Sequence, residues 1–236
     1  MDFVALDVET ANADPKSICQ IGVAVFRDGN LVETWDSLIN PQSHFDFMNS
    51  AIHGITENDV QEAPTIDQIK SKLDQIIGDN IVGIYSSFDK VALEKNFSQI
   101  NYNWLDITRV VRRTWEQVAY SGYGLVNVCR LNDIQIGKHH DALADAIAAG
   151  KVLICALNAK QLKLDDCRSL IRRKISTLIA YGEMSENPIP TNIIIEGGNP
   201  NGEWFGDVLC FTGELRMSRI EASVTASQLG FDVGKG

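Results

Sequence analysis

Two carboxylates near the start of the chain interrupt an otherwise apolar run and are the first residues with a chemical signature. Asp7 and Glu9 lie in the segment Phe3 to Thr10 and are separated by one residue. Because side chains alternate along a strand, both carboxylates are expected on one face, with Leu6 and Val8 on the other. Adjacent acids on a buried strand repel each other, and a divalent cation supplies the missing positive charge. An edge strand with both acids in water is the alternative, so a metal site requires further ligands.

Two later acids and a histidine are candidates for completing such a site. Asp89 lies where a short predicted strand, residues 81–85, meets a helix, and Asp145 lies in the first turns of an alanine-rich helix predicted over residues 140–157. Each has a structural alternative, since Asp89 fits a helix N-cap, Asp145 favours the helix dipole, and His140 fits an ordinary surface or core histidine. Together, four carboxylates and a histidine near element ends are typical of a two-metal hydrolytic site. Mg²⁺ and Mn²⁺ prefer oxygen ligands, and a neutral imidazole accepts a proton from attacking water.

The elements that must position these residues begin with three strands. Residues 3–10, 18–26 and 31–39 are rich in apolar residues, and Asp28-Gly29-Asn30 is a hairpin turn signal. Thr56 and Thr65 as N-caps and Gly78 as a C-cap predict helices over residues 57–61 and 66–77. Residues 81–85 and 104–107 are predicted strands, each followed by a helix, the first with Val91 to Phe97 and the second with Arg109 to Arg113. Helices are also predicted over residues 125–131 and 140–157. A meander followed by strand–helix alternation predicts a mixed α/β layer.

Composition limits the functions that the chain can perform alone. It has 236 residues, 44% of them hydrophobic, and 21 basic against 31 acidic residues give a net charge of −10. An acidic surface does not favour an extended grip on a polyanion, so any nucleic-acid contact is expected to be local, metal-assisted or provided by a partner. The five cysteines are scattered and are expected to be reduced and mostly buried. We find neither a signal-like leader nor an apolar stretch long enough to span a membrane, so we expect a cytoplasmic protein without a membrane partner.

Composition changes after the alanine-rich helix. Basic residues outnumber acidic ones between Lys160 and Lys174, on a predicted helix with one apolar side, and Glu183 to Asn201 is rich in Pro and Gly. A solvated face on a packed helix is the default interpretation of the basic segment, and a nucleic-acid or partner surface is the alternative. The Pro- and Gly-rich segment is typical of a linker. A further strand, a turn at Thr212-Gly213, a helix with Gly230 as its C-cap and a second strand follow over residues 208–233, which are too few to bury a core alone.

The chain resembles the DEDDh exonuclease superfamily, most closely the proofreading (epsilon) subunits of bacterial DNA polymerase III. The resemblance covers residues 2–157 and is carried by Leu6-Asp7-Val8-Glu9-Thr10, by Ser87-Phe88-Asp89, by the segment from His140 to Ala146, and by His53-Gly54-Ile55-Thr56. The third motif has four residues between His140 and Asp145, as in the family. His139 lacks that spacing.

The resemblance implies a ribonuclease H-like fold, which is a mixed five-stranded sheet flanked by helices. It implies removal of nucleoside 5′-monophosphates from DNA 3′ ends by two-metal-ion hydrolysis with Mg²⁺ or Mn²⁺, in replication proofreading or repair. Asp7, Glu9 and Asp145 would hold the ions directly, Asp89 would do so directly or through water, and His140 would be the general base.

Four further residues are candidates for contacting the terminal nucleotide. Thr10, Ile55 and Phe88 are implied by the resemblance. Tyr85 is a candidate that the family does not imply. The chain has Ile84-Tyr85-Ser86 where family members often have His-Asn, and a tyrosine there can stack on a base.

The last residues resemble the opening of a BRCT domain, through Phe211 to Leu215, Ser218 to Glu221, and Gly230-Phe231. We therefore expect an exonuclease domain over residues 1–158, a basic helix and linker over 159–200, and an incomplete BRCT-like α/β fragment over 201–236. Phosphate binding by that fragment is not expected.

The expected partners are single-stranded or 3′-terminal DNA, with RNA as an alternative, and a DNA polymerase or repair proteins. Two alternative functions remain, an exoribonuclease of the same fold and a non-catalytic repair scaffold. The presence of all five active-site residues argues against the scaffold.

Overall fold

The computed structural model describes residues 1–115, 122–167, 199, 202–209 and 219–233. The chain divides into two compact units, Met1–Leu164 and Asp165–Gly236. Most of the predicted basic helix and linker, residues 168–198, lies outside the described residues, as does the predicted turn at Thr212-Gly213. The domain boundaries expected at residues 158 and 200 stay a prediction.

The first unit is built on one mixed sheet. Its strands are β1 (Phe3–Thr10), β2 (Ile18–Arg27), β3 (Asn30–Leu38), β4 (Ile81–Ile84) and β5 (Asn103–Asp106), in the order β3-β2-β1-β4-β5. The first three strands pair antiparallel, whereas β1 pairs parallel with β4 and β4 pairs parallel with β5. The predicted five-stranded mixed sheet is confirmed, and β1 lies at its centre.

Within residues 1–115 and 122–164, six α-helices connect and cover the strands. They are α1 (Phe47–His53), α2 (Ile66–Ile77), α3 (Ser87–Asn96), α4 (Ile107–Thr114), α5 (Leu125–Leu131) and α6 (Ala142–Lys160), with short 3₁₀ turns at Glu57–Val60 and Leu164–Asp166. The predicted helix starts at Thr56 and Thr65 are confirmed by capping boxes, which place Asp59 and Gln68 against the respective cap residues. Gly78 ends α2 as predicted.

One face of the sheet carries an apolar core beneath α2 and α3. Leu6 and Val8 of β1 belong to the same buried cluster as Leu73 of α2 and Leu93 of α3. The side chains of β1 alternate, so Asp7 and Glu9 are left on the opposite face. The strand therefore separates its apolar residues from its carboxylates as the sequence predicts.

The opposite face of the sheet is covered by α6, which packs on β1 and β2. Its small residues allow a close approach, since Ala146 and Ala149 are buried and a Cβ on Gly150 would lie 2.2 Å from the Phe26 ring. The prediction that α6 begins at His140 was wrong. His140 has a φ of 62° and lies outside the helix, which starts at Ala142. Asp141 is the N-cap, and its side chain accepts a hydrogen bond from the Ala144 N–H at 3.0 Å.

The sequence prediction that no apolar stretch is long enough to span a membrane does not hold for α6. This helix has the length and composition needed to cross a bilayer. In this fold, however, its apolar residues Val152, Leu153, Ala156 and Leu157 are buried within the unit. A helix buried in a protein core satisfies the same length and composition test, so α6 is accounted for by its packing.

The described part of the second unit contains two short parallel strands and one helix. Strand β6 (Val208–Leu209) pairs with β7 (Asp232–Val233), and α7 (Arg219–Leu229) precedes β7. Gly230 follows the helix with a φ of 109°, as expected of a C-cap glycine. The predicted order of strand, helix, glycine cap and strand is present, but it does not by itself identify a BRCT domain.

Candidate active site

Three of the predicted metal ligands meet where α6 begins above β1. Asp7, Glu9 and Asp145 each place a carboxylate oxygen within 4.8 Å of the other two. Asp7 and Glu9 come from one strand, whereas Asp145 is in the first turn of α6 and is 4% exposed. The fold thus joins carboxylates that are more than 130 residues apart in the sequence.

The fourth predicted ligand, Asp89, lies outside this group of three but influences it. Asp89 is in the first turn of α3, is 3% exposed, and accepts a hydrogen bond from the Ser86 N–H at 3.3 Å. Its charge is nevertheless among the causes that raise the pKa of Asp7. Asp89 therefore acts as part of a helix cap and also belongs to the acidic environment, so the two sequence interpretations are compatible.

The electrostatics of the cluster favour a bound cation. Burial, followed by the charges of Asp89 and Glu9, raises the pKa of Asp7 well above its usual value. Burial and then Asp145 raise the pKa of Glu9 to about 7, with Lys138 opposing the rise, and burial raises the pKa of Asp89 to about 8. Such shifts mean that the carboxylates lack compensating positive charge. The site offers only oxygen ligands from these residues, so it fits a hard divalent ion such as Mg²⁺ or Mn²⁺.

Two adjacent histidines form the loop before α6. The His140 Nδ1 lies 3.9 Å from Glu9 Oε1, and the His140 backbone N–H donates to Asp145 Oδ2 at 3.1 Å. Burial and then His139 lower the pKa of His140, so its imidazole is neutral at physiological pH. The positive φ of His140 is uncommon for a residue other than glycine, and the hydrogen bond from its backbone N–H to Asp145 stabilises this conformation.

His139, which the spacing argument set aside, also reaches the site. Its Nδ1 lies 2.9 Å from Asp145 Oδ2, and its ring stacks on His140 with centroids 3.9 Å apart. Position beside His140 was the only sequence signal for this residue. The structure therefore adds a second imidazole to the predicted constellation.

The segment His53-Gly54-Ile55-Thr56 supports the end of β1. His53 is 2% exposed, and its Nδ1 accepts a hydrogen bond from the Ile55 N–H at 3.0 Å. The proton is therefore on Nε2, which donates to the Thr10 carbonyl at 3.2 Å. Thr10 follows Glu9 at a shift in the β1–β2 register, so His53 holds the backbone beside a carboxylate of the site.

Comparisons with known proteins show the family to which this chain belongs. Residues 4–153 match the family model described as Exonuclease (RNase_T). The chain belongs to this exonuclease family. A DNA polymerase III PolC-type from Clostridium perfringens is 23% identical over 186 residues, which are 75% of this chain and 13% of that protein. The match thus spans only a small part of this relative's length.

Solved structures of nucleases share the fold of this exonuclease-family chain. Exonuclease X in complex with 5′ overhanging duplex DNA has a TM-score of 0.61 and 19% identity, covering 72% of this chain and 99% of that one. The nuclease domain of 3'hExo, described as a DEDDh family member bound to rAMP, has a TM-score of 0.57 and 17% identity, covering 66% of this chain and 92% of that one. The family match ends at residue 153, so it does not bear on the BRCT resemblance.

The predicted nucleotide-contacting residues of this exonuclease-family chain differ in exposure. Thr10 and Ile55 are largely buried, whereas Phe88 is 38% exposed beside Asp89. Tyr85 donates its hydroxyl proton to the Tyr123 carbonyl at 2.8 Å, which fixes the side chain in a partly buried position. Their contact with a nucleotide stays a prediction.

Sequence reasoning missed the residues that dock α6 on the sheet. Gln20 of β2 accepts from the Ala142 N–H at 3.1 Å and donates to Asp141 Oδ2 at 3.3 Å. Lys138 donates to the His53 carbonyl at 2.8 Å, which ties the histidine loop to the end of α1. A glutamine within a strand and a lysine within a loop carry no motif, so no sequence signal was available for either.

Proposed function

We propose that this chain is a metal-dependent 3′–5′ exonuclease that releases nucleoside 5′-monophosphates from DNA 3′ ends. The observation that carries the proposal is the approach of Asp7, Glu9 and Asp145 to within 4.8 Å of one another in a chain of the exonuclease family. His140 lies beside this group, with its Nδ1 atom 3.9 Å from Glu9 Oε1. Carboxylates with a neighbouring neutral imidazole are the residue types that metal-assisted phosphodiester hydrolysis requires.

The residues have distinct roles in this proposal. Asp7, Glu9 and Asp145 would hold two divalent ions, Mg²⁺ or Mn²⁺, and Asp89 would contribute directly or through water. The ions supply charge compensation for the phosphodiester and increase the acidity of the attacking water. His140 would accept the proton of the attacking water, since its side chain is 43% exposed and its lowered pKa keeps the imidazole neutral.

DNA is the favoured substrate class, with RNA as the second candidate. The match to a DNA polymerase III PolC-type supports DNA, as does the fold shared with Exonuclease X, whose structure was solved with duplex DNA. The rAMP bound to 3'hExo favours RNA as the alternative. Because the matched relative is a DNA polymerase, we propose a role in replication proofreading or repair, with a DNA polymerase or repair protein as partner. The cytoplasm is the proposed location.

The test uses matched oligonucleotides of DNA and RNA, labelled at the 5′ end, with either a free or a blocked 3′ end. We expect a ladder of products shortened one nucleotide at a time, formed only with Mg²⁺ or Mn²⁺ and only from free 3′ ends. Nucleoside 5′-monophosphates should accumulate, with DNA degraded faster. Faster degradation of RNA than of DNA would show that RNA is the preferred substrate. The absence of a ladder with either polymer would favour the non-catalytic scaffold function.

The role of His140 has a separate test. His140→Ala should lose at least about a hundredfold in rate, while still binding Mn²⁺ through the carboxylates. His44→Ala is a matched control, because His44 is an exposed histidine outside the site, with its Nε2 3.3 Å from Asp46. An unchanged rate in His140→Ala would remove the general base from the proposal.

A further inference from the structure

Two overlapping groups of potential metal ligands share Asp145. One is the oxygen group of Asp7, Glu9 and Asp145, and the other is His139, His140 and Asp145, whose ligand atoms also lie within 4.8 Å of one another. The second group contains two imidazole nitrogens and a carboxylate. Its chemistry therefore differs from that of the first, although the two lie side by side.

The nitrogen-containing group suits a different cation. Mg²⁺ prefers oxygen ligands and retains its waters, whereas Zn²⁺ takes imidazole nitrogen together with carboxylate oxygen, usually in a tetrahedral arrangement. Four ligands are needed for that arrangement. Glu9 offers the fourth, because its Oε1 lies 3.9 Å from His140 Nδ1.

We propose that His139, His140, Asp145 and Glu9 form a Zn²⁺ site that overlaps the candidate active site and that Zn²⁺ bound there inhibits the enzyme. The binding depends only on the positions of these side chains. The inhibition rests on the proposed exonuclease function.

Access and preorganisation both support the site. The side chains of His139 and His140 are 38% and 43% exposed, so an ion reaches them from solvent. Asp145 is buried and already lies 2.9 Å from the His139 Nδ1. The rings of His139 and His140 stack with their centroids 3.9 Å apart, which reduces the side-chain entropy that is lost on binding.

The overlap explains why such binding inhibits rather than assists. Zn²⁺ bound in this way occupies Glu9 and Asp145, which the Mg²⁺ or Mn²⁺ ions also need. It also occupies the one nitrogen lone pair that the neutral His140 imidazole offers, so this side chain no longer accepts a proton. His139 is the ligand that gives the site its second nitrogen, and it is absent from the oxygen group.

The test is a Zn²⁺ titration of the metal-free full chain against a chromophoric zinc indicator. We expect one Zn²⁺ per chain and at least about tenfold weaker binding in His139→Asn and in His140→Asn, because each loses a ligand. His44→Asn, which removes an exposed histidine elsewhere, should bind as the unmodified chain does. Equal affinity in His139→Asn and the unmodified chain would overturn the proposal.

Nuclear magnetic resonance of the imidazole nitrogens supplies a second readout. Zn²⁺ should shift the signals of both His139 and His140 and leave those of His44 and buried His53 in place. Shifts confined to one of the pair, or to His44, would contradict the shared site.

An activity assay then separates this inference from the proposed function. In the presence of Mg²⁺, His139→Asn should need at least about tenfold more Zn²⁺ for half-inhibition than the unmodified chain, in line with its weaker binding. Zinc binding that depends on His139, in a chain with no nuclease activity, would overturn only the exonuclease function. Nuclease activity with equal Zn²⁺ sensitivity in both proteins would overturn only the zinc site.

Discussion

Gly22 of β2 lies directly against Ala142 of α6, so close that a Cβ on Gly22 would be 2.2 Å from the Ala142 carbonyl carbon. Gly22 is also the residue that pairs with Asp7 across the β1–β2 ladder. The lack of a side chain at this position therefore allows the first turn of α6 to rest on the sheet beside Asp7. Asp145 reaches the carboxylate group because of that contact.

Gly22→Ala should displace the start of α6, because the atoms that block a new Cβ belong to the backbone rather than to a flexible side chain. Overpacking of this kind costs about 1–3 kcal/mol in the free energy of unfolding. We also expect nuclease activity to fall at least about tenfold, since Asp145 moves away from Asp7. Gly124→Ala is the control, because no atom lies within 4 Å of its Cβ position. Equal activity and stability in the two variants would contradict the docking role of Gly22.

Asp7→Asn should stabilise the metal-free protein while abolishing activity. The pKa of Asp7 is raised by burial and by the neighbouring acids, so its charge opposes folding at neutral pH. Removing that charge should raise the free energy of unfolding by about 1–3 kcal/mol in the presence of a chelator, as measured by urea titration. Asp36→Asn, at an exposed position on β3, should leave both stability and activity unchanged. A destabilised Asp7→Asn would argue against unfavourable repulsion in the cluster.

The metal-free protein should lose stability as pH rises through neutrality. Glu9 has a pKa raised from 4.5 to about 7, and Asp89 has one raised from 3.8 to about 8. Between the ordinary and raised values, the folded chain binds more protons than the unfolded chain, so the free energy of unfolding falls with increasing pH. Urea titrations between about pH 5 and 8 should show this fall, and Glu9→Gln should reduce its slope between about pH 5 and 7. A free energy that rises over this interval would contradict the cluster electrostatics.

His53→Ala should weaken both the fold and the site. The substitution leaves the Thr10 carbonyl and the Ile55 N–H without their His53 partner and opens a cavity at a buried position. The expected loss is about 2–4 kcal/mol in the free energy of unfolding. Activity should also fall, through kcat more than KM, because His53 holds the backbone beside Glu9 and is too buried to touch substrate.

Asn49→Ala provides the comparison for His53. Asn49 also donates to the Thr10 carbonyl, at 2.9 Å, but lies in a half-buried position on α1. It should cost less stability and leave kcat within about threefold of that of the unmodified chain. A His53→Ala protein with normal kcat would show that the end of β1 needs no such support.

The sequence predicted the strands, most of the helices and the carboxylates that lie in the candidate site, because each of these depends on a local pattern of residues. Alternation along β1 separates Leu6 and Val8 from Asp7 and Glu9, and the predicted caps at Thr56 and Thr65 are present. These features need only neighbours within a few residues. The resemblance carried by these motifs also pointed to an exonuclease, and the family match over residues 4–153 confirms that family.

The rest of the site could not be predicted because it depends on contacts between distant elements. The residues next to Gly22 in the sequence do not indicate that α6 packs against it. The residues next to Gln20 likewise do not indicate its hydrogen bond to Asp141. His139 lacks the family spacing, yet its Nδ1 lies 2.9 Å from Asp145 Oδ2, a contact that depends on how the loop folds back on α6. The predicted start of α6 at His140 was wrong because the positive φ of His140 keeps this residue out of the helix, and Asp141 caps the first turn instead.

The most direct measurement of the central claim is degradation of a 5′-labelled single-stranded DNA by the unmodified chain and by Asp7→Asn, each with Mg²⁺ and with EDTA. We predict a ladder of shortened products only from the unmodified chain with Mg²⁺, and no products from folded Asp7→Asn. Equal ladders from both proteins, or a ladder that persists in EDTA, would contradict a nuclease that depends on these carboxylates.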